Sequence, residues 1–458
     1  MNHDIFEVEI TSQAPARISL AGGGTDISPY PEEFGGEVVN ATISIFMLAR
    51  LRLRPEAEVI IHANTRSDPM SYPSFDAMKF DGRLDFIKAA ARALYNRDHG
   101  FELYVYSSLP MRSGLGGSGA MCVAVLEAFN ELSAGRRLNQ YELAELAYKI
   151  ETDQLQNASG RQDQYASAFG GFNHFEFFGG NHVRVSRIDI GRAQERVLNQ
   201  AIVLFWIGER TASGRIIEDQ TLGVRDGGTV LEAMHATRAT VGDMHDALND
   251  MDVQRIGELL HDLWSIKKKF SRHVSNDRID DIYRRLQNAG MIGGKITGAG
   301  GGGHLLACCH IEKRDDVLAQ GEALDGPEPT ATTHHAYAVA GEPGVPGLEL
   351  VVGERVVQAL HALEVVRRRR CRVRSPLRRR VWRTAGAAHL FLPPAGQRAA
   401  LGVARRWQHV GQGDVAVAAG RGDGGHLRQG LGPGHGFHRA GRPGVGSDRE
   451  RLWQAQCD

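Results

Sequence analysis

The stretch Pro110-Met111-Arg112-Ser113-Gly114-Leu115-Gly116-Gly117-Ser118-Gly119 constrains this chain more than any other. It follows residues 101–106, where apolar and polar residues roughly alternate as in a strand, and it precedes the apolar run 120–129, which reads as a buried helix. Four glycines and two serines in ten residues make a poor core. They let the backbone approach a ligand closely and adopt positive φ. At a helix start, free N–H groups and the positive end of the helix dipole can then hold a phosphate. A flexible loop capping a helix has the same composition, so the loop alone leaves both readings open.

Its neighbours narrow the choice. Gly114-x-Gly116-x-x-Gly119 fits the dinucleotide-binding pattern. That fold needs a second strand after the helix, ending in an acid, and here a second helical pattern follows at 139–155 with Asn139 as its N-cap. No Gly-Lys-Ser/Thr loop of the Walker type is present, so phosphate would be held in a third way. Two further glycine loops occur. Ala21-Gly22-Gly23-Gly24-Thr25-Asp26 follows a strand–turn–strand pattern over 5–20, and Gly298-Ala299-Gly300-Gly301-Gly302-Gly303 precedes a strand at 304–309. Strand-like runs at 37–53, 58–61, 172–177, 183–190 and 201–207 mix with helical patterns at 86–95, 228–250, 253–269 and 278–288. This order predicts an α+β architecture. The expected units are 1–195, 196–325 and a tail over 326–458.

Charge is spread unevenly. Of 54 basic and 54 acidic residues, 19 Arg and 5 acids fall in 367–458, leaving 35 basic and 49 acidic residues in 1–366. An acidic body gives no support for binding nucleic acid. Five cysteines without CxxC spacing indicate neither zinc nor a disulfide framework. The N-terminus lacks the signature of a signal peptide, and no apolar run reaches the roughly 20 residues of a membrane span, so a cytoplasmic protein is expected. After Lys313 there is no lysine, and arginine runs stand among Gly, Ala, His and Pro. Two readings fit that tail. One is a disordered Arg/Gly arm that touches RNA or membranes. The other, which the composition favours, is translation of GC-rich DNA in a wrong reading frame from a break near 315–330.

The string Ala14-Pro15-Ala16-Arg17-Ile18-Ser19-Leu20-Ala21-Gly22-Gly23-Gly24-Thr25-Asp26, the loop 110–119 and the loop 295–303 resemble, in kind and order, the three motifs of the GHMP kinases. Gly160-Arg161-Gln162-Asp163-Gln164-Tyr165 is similar to that family's catalytic-aspartate segment. The resemblance spans about 10–310. It implies a two-domain fold: a ribosomal protein S5 domain 2-like N-terminal domain and a ferredoxin-like C-terminal domain that closes with a strand after a helix near 314–324, for which the sequence offers no good match. Within the family, the first loop with Pro29-Tyr30, Gly35-Gly36 and Asn40-Ala41-Thr42-Ile43 most resembles kinases of D-glycero-D-manno-heptose 7-phosphate. Fucokinases have a similar first loop, whereas galactokinases carry a Glu-His pair there that is missing here.

The resemblance implies these roles. Asp163 is the base for the acceptor hydroxyl, and Arg17 keeps it ionised beside the transferring phosphoryl group. Pro110, Met111, Arg112, Ser113, Gly114, Leu115, Gly116, Gly117, Ser118 and Gly119 contact the ATP phosphates. Ser118 and Glu151 hold Mg²⁺, with Asp153 as the competing ligand. Thr25, Asp26 and Tyr30 meet sugar hydroxyls, and the loop with Gly300 and Gly301 supports either the phosphate loop or the substrate. Arg161, Arg210, Lys267, Lys268 and Lys269 are the cations available for a substrate phosphate. The partners implied are ATP and a sugar phosphate, with no nucleic acid or membrane; a homo-oligomer is compatible with the sequence.

Overall fold

The computed structural model of the chain describes residues 9–96, 99–133, 135–179, 182–210 and 213–323. Both readings of the tail concern residues outside these ranges. Two long strands form the spine: β1 (Glu9–Ala21) and β2 (Gly36–Leu53) pair antiparallel over almost their whole length. β2 is rich in β-branched residues (Val38, Val39, Thr42, Ile43, Ile45), which suit a pleated surface covered by other elements. Where a turn was expected inside 5–20, β1 runs on as one strand. The register slips between Pro15 and Arg17, so the proline, which cannot donate to a ladder, is absorbed at a bulge. The bulge also re-aims the side chain of Arg17.

The sheet is completed by β3 (Val59–Ala63), β4 (Met70–Tyr72), β5 (Phe101–Ser107), β6 (Phe172–Phe178) and β7 (His182–Arg187), in the order β4-β3-β5-β2-β6-β7 with β1 also on β2. A five-residue helix, α1 (Tyr30–Phe34), links the spine strands. α2 (Asp85–Leu94), α3 (Gly117–Asn130), α4 (Gln140–Lys149) and α5 (Gln162–Phe169) follow, and α3 and α5 pack on β1 and β2. Asn139 caps α4 as expected: its side chain accepts from Glu142 N, and the Glu142 carboxylate accepts from Asn139 N. α4 then widens into one π turn, Ile150–Gln154.

The rest of the described chain is α6 (Arg192–Ala201), β8 (Ile202–Trp206), α7 (Ser213–Asp226), α8 (Thr229–Asp250), α9 (Val253–Lys267), α10 (Asp277–Asn288), β9 (Met291–Ile296), β10 (His304–Cys309) and α11 (Arg314–Glu322). Its antiparallel sheet has the order β8-β10-β9. Among the described residues it has three strands, and β8 has no partner on its outer edge. The break expected at 195/196 falls within α6. The two halves share a core: Val241, Met244 and Leu248 of α8 and Ile256 and Leu259 of α9 join the apolar cluster of the larger sheet. Tyr30 reaches the other way, into the cluster of Met234, Trp264 and Phe270. The cleft where the halves meet is thus framed by buried apolar packing rather than by a loose linker.

Candidate active site

The glycine loop after β5 opens onto a cavity of about 410 Å³. Pro110, Met111, Arg112, Ser113, Gly114, Gly116, Gly117 and Ser118 line it, as expected. Leu115 and Gly119 do not. Leu115 is buried and gives its carbonyl to Arg17 N at 3.0 Å, and Gly119 lies against Asp163. Gly116, in the left-handed conformation at φ 74°, caps α3, and no acid stands in that helix's first turn. The first N–H groups of a helix have no partner within it, so this end offers donors and a positive dipole to an anion. At the far end, Met47, Leu84, Phe86, Ile87, Leu109 and Met121 make an apolar pocket suited to a flat base.

Arg17 and Asp163, 146 residues apart in sequence, form one unit beneath the loop. Arg17 Nε donates to Asp163 Oδ1 at 2.8 Å, Nη2 donates to the same oxygen, and Nη1 donates to Gly114 O at 2.8 Å. Both bonds from Arg17 to the carboxylate land on Oδ1, and Asp163 lines the cavity. The Arg17 side chain is 4 % exposed and that of Asp163 22 %. Glycine is required where α5 and α3 approach: a Cβ on Gly119 would stand 3.0 Å from Asp163 Cβ.

Glu151 and Ser118 also come together, at 3.5 Å between Ser118 Oγ and Glu151 Oε1. The π turn directs Glu151 inward while Asp153 is exposed, so geometry favours Glu151 of the two. Gln164 Nε2 and Ser159 Oγ donate to its other oxygen at 2.5 and 3.2 Å. Burial, and then the negative charge of Asp163, push the Glu151 carboxyl up to about 7.

The third glycine loop braces the first. His304 Nδ1 donates to Ser113 O at 2.8 Å, and Gly114 faces Thr297 so closely that a Cβ would meet Thr297 O at 2.8 Å. Gly300 and Gly301 pack on Val274 and His273 instead of lining the cavity. Gly114→Ala should therefore both force apart the two loops and strain a residue at φ 79°. The expected result is a loss of roughly 1–2 kcal/mol in denaturant unfolding, with weaker ATP binding by titration.

Thr25, Asp26 and Tyr30, expected at the sugar, do not line this cavity. Thr25 is wholly buried and its hydroxyl lies within the fold, 2.8 Å from both Gly22 O and Glu37 O and accepting from Glu37 N at 3.0 Å. Tyr30 is wholly buried with its hydroxyl 2.8 Å from His235 Nδ1. Asp26 accepts from Gln162 N and Nε2 at 3.1 and 2.8 Å and from Gly24 N, so it ties the first loop to the start of α5 and positions Asp163. Arg161 lies on the Tyr148 ring and pairs with Glu145 away from the cleft; Lys268 and Lys269 are exposed. Arg210 lines the cavity. Lys267 is buried with its ammonium donating to Gly298 O, and burial followed by the charges of Arg17 and Arg210 brings it down to about 7. Gln162, Gln164 and Ser159, which hold the two carboxylates, were not singled out from sequence. The signal for the glutamines was two amides flanking Asp163 in the first turn of a helix, one on each side.

A glycine loop at a helix start and an arginine-clamped aspartate line one cavity, and a buried glutamate meets Ser118 of that loop; together they fit a small-molecule phosphotransferase. Family profiles agree: that of the GHMP kinases N terminal domain matches residues 85–171, and that of the GHMP kinases C terminal matches 244–324. The chain is 36 % identical over 317 residues to D-glycero-alpha-D-manno-heptose 7-phosphate kinase of Campylobacter jejuni, covering 68 % of this chain and 92 % of that protein. A crystal structure of a D-glycero-D-manno-heptose 1-phosphate kinase from Bacteroides thetaiotaomicron superposes with a TM-score of 0.58 at 30 % identity, covering 69 % of this chain and 93 % of that one. Mevalonate kinase of Thermococcus onnurineus is 25 % identical over 68 % of this chain and 92 % of its own length. The chain belongs to the GHMP kinase family and is an ATP-dependent kinase. Among the described residues, no helix is long and apolar enough to cross a membrane.

Proposed function

We propose that the chain transfers the γ-phosphoryl group of ATP to the anomeric hydroxyl of D-glycero-D-manno-heptose 7-phosphate, giving the 1,7-bisphosphate in the cytoplasm. The observation that carries the chemistry is Asp163, held through one oxygen by Arg17 where it lines the phosphate-loop cavity. The names of the relatives supply the sugar. In this reading Asp163 Oδ2 accepts the proton of the anomeric hydroxyl, which is more acidic than an ordinary alcohol. The freed oxygen attacks the γ-phosphorus, and the bond to the β–γ bridging oxygen breaks, leaving ADP. Arg17 holds the base ionised and places positive charge beside the group in flight.

Ser118 and Glu151 fit a Mg²⁺ ion: a hydroxyl beside a buried carboxylate suits a metal that completes its shell with phosphate oxygens and water. Among the described residues no three His, Cys, Asp or Glu side chains cluster, as suits an ion that arrives with ATP. Bound there, Mg²⁺ would offset the phosphate charge.

The test is turnover of ATP–Mg²⁺ with heptose 7-phosphate, heptose 1-phosphate, fucose, galactose and mevalonate, read by product mass. Heptose 7-phosphate should give the bisphosphate at the highest kcat/KM. A higher value for heptose 1-phosphate or fucose would replace the acceptor, and a folded protein that turns over none of them would end this reading.

A further inference from the structure

The phosphate loop, Arg17 and Asp163 all come from the first half of the fold, but one charged side chain of the cavity does not. Arg210 follows β8, the edge strand of the smaller sheet, and enters the cavity beside Arg17, Arg112 and Asp163. Its Nε is buried with no hydrogen-bond partner, so a donor has been removed from water without replacement. The surroundings fix it there. Gly298 lies so close to the guanidinium that a Cβ would meet Nη1 at 2.9 Å, and the carbonyl of Gly298 is held by Lys267. Burial chiefly lowers the hold of Arg210 on its proton, with Asp163 raising it and Arg17 and Arg112 lowering it, and Arg210 in turn lowers that of Lys267. Asp163 is already engaged by Arg17. Arg210 thus shares the cavity with a carboxylate that Arg17 already engages, and its idle buried donor calls for an anion at that point.

We propose that Arg210 is a catalytic residue that donates to the phosphoryl group in transfer, opposite Arg17, so that the smaller half of the fold completes the site. This rests on the kinase reading above but not on the identity of the acceptor. The transferred group spreads negative charge over its equatorial oxygens. A second guanidinium at the acceptor side of the phosphate loop, next to the base, is placed to meet that charge. A role in holding the acceptor's own phosphate fits less well, because that group lies at the far end of a seven-carbon sugar from the hydroxyl Asp163 serves.

The experiment compares full-length wild type with Arg210→Ala and Arg210→Lys. The first readout needs no acceptor: calorimetric binding of ADP–Mg²⁺ with and without aluminium fluoride, a mimic of the transferring group. Arg210→Ala should leave ADP affinity within about threefold and lose roughly 10²-fold or more of the added affinity from the fluoride complex. The second is turnover with the best acceptor of the panel. There kcat should fall by a similar factor with acceptor KM little changed, and guanidinium ion should restore part of the rate of Arg210→Ala but not of Arg210→Lys. Equal fluoride-complex binding by wild type and variant would overturn the proposal. So would an unchanged kcat with a raised KM confined to phosphorylated acceptors, which would assign Arg210 to the substrate phosphate. Loss of rate without guanidinium rescue, together with a lowered unfolding midpoint in both variants, would make Arg210 structural. Absence of turnover by wild type, with the fluoride result as expected, would sink the choice of acceptor and leave Arg210 in its role.

Discussion

Asp163→Asn should lower kcat by about 10²–10⁴-fold while leaving ATP affinity within a few-fold. The substitution keeps the size of the side chain and its bonding oxygen toward Arg17 Nε, now 2.8 Å away, so the loop above it has no reason to move. What is lost is the lone pair that takes the hydroxyl proton. In the proposed reading ATP is held by other groups, chiefly the loop N–H donors at the start of α3, and these do not depend on the charge of Asp163. A cost in stability accompanies the loss, because Arg17 is buried and its guanidinium would face a neutral amide. Arg17→Ala separates the two effects. It frees Gly114 O and leaves the Asp163 carboxylate without its cation, so stability and rate should fall together. Rate constants at saturating substrates, ATP titrations and urea midpoints for both variants check this. An Asp163→Asn enzyme with wild-type kcat would remove Asp163 as the base.

The elements that carry a strong local signal were legible in the sequence: the apolar run of α3, the capped start of α4, the long helices α8 and α9, and the three glycine loops in order. α6 and α7 were not. α6 is short, polar overall and buries only Leu198 and Ala201, and α7 is interrupted by Gly214 and Gly223, so few apolar residues mark either one. Site chemistry followed the same division. Asp163, Arg17 and the phosphate loop could be placed because their motifs are short and local. Thr25 and Tyr30 could not, since a hydroxyl on a loop says nothing about which partner it will find, and theirs found Gly22, Glu37 and His235. Arg161 and Arg210 looked alike as charges in sequence. Only tertiary packing sends one to Glu145 and the Tyr148 ring and leaves the other with an idle donor in the cavity. The inward turn of Glu151 depends on a π turn, which no periodicity announces.

That turn leads to a prediction in which stability and activity move in opposite directions. Glu151 titrates near 7 in the folded chain, against 4.5 for an ordinary glutamate, because burial and Asp163 disfavour its charge. A raised pKa means that the folded state binds the proton more tightly than the unfolded state. The fold therefore bears no penalty below about pH 4.5, an increasing one from there to about 7, and a constant one of roughly 3 kcal/mol above that. Glutamine has the same shape and no charge, so metal-free Glu151→Gln should come within about 1 kcal/mol of wild type in urea unfolding near pH 5 and exceed it at pH 8 by up to roughly 3 kcal/mol. The same variant should lose at least about 10²-fold in kcat/KM at fixed Mg²⁺, since the proposed ion keeps only the Ser118 hydroxyl from the protein. Wild type should also need less Mg²⁺ for half-maximal rate at pH 8 than at pH 6, because the ion competes with a proton for Glu151. Unfolding measured in a chelator across pH 5–8, beside Mg²⁺ titrations of the rate, tests the three statements together. A variant that is no more stable at pH 8, yet inactive, would show that Glu151 is already ionised in the free protein through a partner other than the metal. A variant that is more stable and fully active would exclude Glu151 as a ligand. The two outcomes separate a carboxylate retained at a cost to the fold for the sake of the ion from one that is simply part of the core.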